Sequence, residues 1–113
     1  MARTVLVVDD SAAFRATARV LLSARGYDVV GVADSVAGGL AAARELKPDA
    51  VLLDVNLPDG DGLSAAGAFD AHVVLVSTLD ASALGDIASS GARGFVPKAE
   101  LASPRLVELL GPP

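Results

Sequence analysis

Short apolar runs recur along the chain, each followed by a segment with helical spacing, and this alternation limits the fold more than any other feature. The runs lie at residues 5–8, 29–32, 50–53, 73–76 and 94–96. They consist mostly of Val and Leu, with no polar residue at every second place, which is the pattern of strands covered on both faces. The first helix is predicted from residue 12 to about 25, where Phe14, Ala18, Leu21 and Leu22 share one face and Gly26 gives the stop. The second spans about 35–46 and is closed by Lys47-Pro48, with Gly38-Gly39 weakening it by up to ~1 kcal/mol each relative to Ala. A fourth is expected over about 81–89. The last ends near Leu110, with Ser103-Pro104 reading either as an N-cap and first-turn proline or as an irregular start.

Five strand-helix units in strict alternation imply a doubly wound α/β domain with one five-stranded parallel sheet. Right-handed crossovers leave the strand order 2-1-3-4-5 as the form that suits 113 residues. The third helix must fit between Gly62 and His72. About seven helical residues span ~10 Å, whereas a five-residue strand spans ~17 Å. A shortened third helix, covering its side of the sheet poorly, is the expectation.

Composition removes several function classes. With 52% hydrophobic residues the chain is far from the disordered class. There is no Cys, so no disulfide framework, and the single His72, expected in a surface loop, excludes a multi-histidine metal site. A net charge of −5 argues against direct nucleic-acid binding and against anionic membranes. No apolar run approaches the roughly 20 residues of a membrane span, and no signal-peptide pattern opens the chain. Residues 1–113 are expected to form one cytoplasmic domain without an output domain.

The chemistry gathers at strand ends. "VLVVDDS" closes the first strand with Asp9 and Asp10, and "VLLDVNLPDGDG" closes the third with Asp54. Sheets of this order bind ligands beyond the carboxyl ends of strands 1 and 3. Three carboxylates brought together there disfavour one another's ionisation. With oxygen ligands only, the compensating ion would be Mg²⁺. Lys98 after the fifth strand adds an ammonium and Ser77 at the end of the fourth a hydroxyl. An Asp nucleophile, a metal site, a cation and a hydroxyl donor form a constellation for phosphoryl transfer, with Asp54 becoming an aspartyl phosphate.

These residues resemble the receiver domain of two-component response regulators. The likeness rests on "DDS", "LLDVNLPDGDG", the Ser-Thr after the fourth strand and "GFVPK", with "GYDVV", "PDAVLLD" and "GARGF" between them. The resemblance implies a flavodoxin-like fold and Asp54 as phosphoacceptor for a histidine kinase's phosphohistidine or a phosphotransfer protein. It implies Asp10 as a direct metal ligand, Asp9 acting largely through water, and the Asn56 backbone carbonyl as a further ligand beside Asp54. Lys98 would pair with the phosphoryl group, and Ser77 and Phe95 would be the switch pair. The face built by the fourth helix, fifth strand and fifth helix would meet a downstream partner or an output domain, and would include Leu84, Ile87, Phe95 and Leu106. A phosphorylation-linked homodimer is left open. Ala99 stands where many receivers place a proline, so the loop after Lys98 could close differently.

Other readings compete for the same residues. Asp9 and Asp10 could be helix caps, Lys98 a solvated surface lysine, Ser77 or Thr78 a cap, and Phe95 plain core. The acidic "PDGDG" loop reads better as turn chemistry than as a calcium loop. A phosphatase of the haloacid dehalogenase kind would need a second Asp where Asn56 stands. A nucleotide-binding module would need a Gly-x-Gly where "DDSAAF" stands. A receiver-like interaction module that works without phosphorylation is the remaining alternative.

Overall fold

The computed structural model describes residues 2–79 and 86–113. Strands β1 (Thr4–Val8), β2 (Asp28–Ala33), β3 (Ala50–Asp54), β6 (His72–Ser77) and β7 (Gly94–Pro97) form one parallel sheet in the order β2-β1-β3-β6-β7. Strands β4 (Asn56–Leu57) and β5 (Gly60–Asp61) make a two-residue antiparallel hairpin beside it. With the hairpin left out of the count, this is the expected 2-1-3-4-5 order.

Alternation along each strand divides the core into two layers. Val5, Val7, Ala50, Leu52, Val74, Val76 and Val96 face helices α1 (Ala12–Ala24) and α4 (Pro104–Leu110), and Leu22, Leu106 and Leu110 fill that layer. Leu6, Val8, Val51, Leu53, Val73 and Leu75 face the other way, against α2 (Val36–Leu46) and the segment around α3 (Gly62–Ala65). The sheet is covered on both sides, which is why its strands carry no polar alternation.

Local chemistry starts and stops α1 and α2 close to where the sequence places their ends, whereas Ser103 before α4 makes no side-chain cap hydrogen bond. The Ser11 hydroxyl accepts from Phe14 N at 3.2 Å and caps α1, and Ser35 does the same for Gly38 N at 3.0 Å in α2. Gly26, at φ 97°, takes the left-handed turn after α1. Lys47 closes α2 in the left-handed region, at φ 49° and ψ 57°, with its N–H on the Ala43 carbonyl. Gly39 has a packing reason: a Cβ there would stand 3.0 Å from both Val8 methyl groups. The intrinsic cost of glycine in α2 is offset by a close approach of helix to sheet.

The third helix is stunted as expected, with four α-helical residues followed by a 3₁₀ turn (Ala66–Ala68). The expected poor cover is not found. Val51, Leu53, Val73 and Leu75 are all within 1% of complete burial, because Ala66 and the Phe69 ring close over them. At the edge of this layer a groove of about 290 Å³ lies between Leu40, Ala43 and Phe69.

Two further expectations change, and a third falls mostly outside the described residues. The helix predicted over 81–89, and Leu84 with it, lies largely outside the described residues, and residues 87–91 are bend and turn. Leu106 is completely buried among the α4 core residues, so it is not part of a docking face. His72 begins β6 rather than lying in a loop, half-buried and hydrogen-bonded to Arg3 and Arg93.

Candidate functional site

Strand register gathers the polar residues. Val8 pairs with Leu53 as the last partners of β1 and β3, so Asp9 and Asp54 leave the sheet side by side. Asp54 pairs with Val76, and Ser77 with Pro97, which sets Ser77 and Lys98 along the same edge. Carboxylate oxygens of Asp9, Asp10 and Asp54 lie within 4.8 Å of one another.

The three acids have different environments. Asp9 is fully buried and Asp54 is 4% exposed, whereas Asp10 faces solvent. The Lys98 ammonium stands 2.7 Å from Asp9 Oδ2 and 3.5 Å from Asp54 Oδ2, bridging the two buried carboxylates. Its other side lies against the Phe14 ring, 4.4 Å from the centroid. Asp9 Oδ1 accepts from Ser11 N at 2.8 Å, and the Asp9 carbonyl accepts from Arg15 Nη1 at 2.7 Å. Asp54 Oδ1 accepts from Asn56 N at 3.3 Å. Burial pushes the Asp54 carboxyl above its ordinary range and the negative charge of Asp9 adds to the push, against the opposing pull of Lys98.

The donor set fits a hard divalent cation. All the gathered side-chain ligands are carboxylate oxygens. Asp9 Oδ2 has no well-directed hydrogen bond in spite of its burial, and the ammonium 2.7 Å away is its counter-charge. A buried carboxylate with ligand capacity to spare, next to two others, is the condition a cation relieves.

The loop after β3 is built around a close approach. Gly62 N donates to the Val55 carbonyl at 2.7 Å, and a Cβ on Gly62 would fall 2.1 Å from the Asp54 carbonyl oxygen. The "PDGDG" stretch is turn chemistry, and both its acids cap helices, one distant and one local. Asp59 accepts from Val36 N and Ala37 N at 2.7 and 3.0 Å, capping α2 from another part of the chain. Asp61 caps α3 through Leu63 N. The cap contacts draw the Asp59 carboxyl below the ordinary range.

Other sequence candidates are placed as follows. Ser77 is 1% exposed, and its hydroxyl accepts from Leu79 N at 3.0 Å; Thr78 is exposed. Phe95 is half-buried and packs with the layer of Leu75. Lys98 opens a 3₁₀ turn (Lys98–Glu100) that carries Ala99, and no peptide bond among the described residues is cis. Sequence reasoning missed Phe14 and Arg15 as neighbours of the site. Phe14 was read only as part of an apolar face, and no local pattern announces a ring over a lysine more than 80 residues away.

Comparison with known proteins gives a consistent result. A family model described as the response regulator receiver domain matches residues 5–110. Chemotaxis protein CheY of Thermotoga maritima is 30% identical over 116 residues, covering 97% of this chain and 96% of that protein. Transcriptional regulatory protein KdpE of Mycobacterium tuberculosis is 36% identical over 99 residues, which cover 83% of this chain and 43% of the relative. The chain spans about half the length of several curated relatives it matches. Among solved structures, the response regulator domain of Thermotoga maritima CheB superposes with a TM-score of 0.85 at 27% identity, covering 97% of this chain and 94% of that one. A CheY-like receiver domain from Methylobacillus flagellatus gives 0.83 at 26%, covering 98% and 100%.

Proposed function

Because the chain belongs to the response regulator receiver domain family, we propose that it accepts a phosphoryl group on Asp54 from the phosphohistidine of a sensor histidine kinase or phosphotransfer protein. The observation that carries this reading is the buried Asp54 carboxylate beside Asp9, with the Lys98 ammonium bridging the two at the carboxyl edge of the sheet.

In the transfer an Asp54 carboxylate oxygen forms a bond to phosphorus as the phosphorus–nitrogen bond of the donor breaks, and the donor imidazole leaves with the electron pair. Mg²⁺, held by Asp9, Asp10, Asp54 and the Asn56 carbonyl, would offset the charge on the transferring group. Asp54 Oδ1 is oriented by Asn56 N, so Oδ2, on the Lys98 side, is the freer oxygen. Lys98 needs only to lean from the carboxylates towards the incoming oxygens. Ser77 must give up Leu79 N or rotate its own proton inward to serve the phosphoryl group. Ser77 and Phe95 would form the switch pair, and the surface around β7 and Ile87 would carry the change to a partner protein or to an output domain.

Intact-protein mass tests the reading. The protein is incubated with acetyl phosphate or phosphoramidate, with and without Mg²⁺, as wild type and Asp54→Ala. One added phosphoryl group that needs both Mg²⁺ and Asp54 is expected. No adduct, together with no Mg²⁺ binding in a titration, would instead favour an interaction module that works without phosphorylation.

A further inference from the structure

We propose that Phe14 is a positioning residue for Lys98, holding the ammonium in reach of Asp54 by a cation–π contact; this rests on the phosphoacceptor reading above. The contacts form a closed ring. Asp9 Oδ1 accepts from Ser11 N, the Ser11 hydroxyl accepts from Phe14 N, the Phe14 ring lies 4.4 Å from Lys98 Nζ, and Lys98 Nζ returns to Asp9 Oδ2 at 2.7 Å. The same N-cap that starts α1 therefore sets the ring over the lysine. Phe14 is half-buried, with its inner edge on the α1 core layer, so the ring has a fixed backing.

The choice of an aromatic ring has a physical reason. An ammonium has three donors and no preferred plane, so a lysine between two carboxylates can swing out to water. A ring face attracts the charge without fixing a direction. Lys98 can then slide from Asp54 towards a phosphoryl oxygen without losing its support. A non-aromatic hydrogen-bonding side chain at position 14 would compete for the same donors, and an aliphatic one would give no attraction.

Two readouts test this, one of geometry and one of rate. Ring shielding should move the Lys98 Hε signals upfield in wild-type protein, and in Phe14→Tyr, but not in Phe14→Leu. With phosphoramidate at saturating Mg²⁺, Phe14→Leu should accept phosphate about three- to tenfold more slowly, and Phe14→Tyr within about twofold of wild type. In a Lys98→Met background, Phe14→Leu should add no further loss, because the charge it serves is gone. A packing role would slow that background as well and would overturn the proposal, as would unshifted Hε signals in wild type or a Phe14→Leu rate equal to wild type. A wild type that takes up no phosphate overturns the phosphoacceptor reading and with it the kinetic role of Phe14. A phosphorylated wild type that fails the Phe14 comparisons overturns the positioning role alone.

Discussion

Asp54 sits where its charge is unwelcome to the fold. It is 4% exposed and borders a second buried carboxylate, and its carboxyl is raised for those two reasons. A raised carboxyl means that the folded state holds the proton more tightly than the unfolded chain, so ionisation costs stability once pH exceeds the unfolded value. Asp54→Asn should therefore raise the melting midpoint in Mg²⁺-free buffer at neutral pH, by roughly 4 °C for each kcal/mol relieved. The gain should fade as pH falls towards the ordinary carboxylate range. A midpoint lowered at neutral pH would contradict the account. Gly62 is constrained by space: its missing side chain admits the Asp54 carbonyl oxygen. Forcing a methyl group into that contact should cost Gly62→Ala about 1–3 kcal/mol or more in a denaturant titration, and an unchanged midpoint would show that the loop gives way freely.

At the level of elements, the Asp59 carboxylate ties the β4-β5 hairpin to the first turn of α2. Asp59→Ala should lower the thermal midpoint by removing the partner of two N–H groups. Its carboxyl is drawn below the ordinary range, so this support is present at neutral pH and is lost as pH falls through the acid range. The wild-type and Asp59→Ala melting curves should converge there, and parallel curves would contradict the cap. Much of the element plan was legible beforehand. Apolar runs gave all five sheet strands, Gly26 and Lys47-Pro48 gave helix ends, and the spacing from Gly62 to His72 gave a seven-residue third segment. What escaped was non-local. Asp59 was legible as a turn residue, but nothing nearby says that it reaches α2. The cover supplied by Phe69 was missed because a lone aromatic outside a periodic segment carries no face. The site was legible because its acids and lysine stand at strand ends, where topology alone brings them together. Phe14 has no such rule.

Across the whole molecule, the two ends of the sheet carry opposite charge arrangements. The carboxyl end gathers acids around Lys98, and the other end sets His72 between Arg3 and Arg93, with Asp49 opposing them. Burial and the two guanidinium groups hold the His72 imidazole below its ordinary value, so the unfolded chain takes up the proton first. The stability tied to neutral His72 is present above about pH 6.5 and is lost as pH falls below it. Since Arg3 also holds the Leu110 carbonyl, this loss reaches the end of α4. His72→Gln should flatten the melting midpoint between pH 7 and pH 5.5, and an unaltered slope would contradict the assignment. The acidic end carries the central claim, that the fold makes Asp54 and no other residue the acceptor. The most direct measurement is peptide mapping after borohydride reduction, which turns an aspartyl phosphate into homoserine. With phosphoramidate and Mg²⁺, homoserine is predicted at position 54 alone and at no position when Mg²⁺ is withheld. Homoserine at position 9 or 10, or none in the complete reaction, would contradict the account.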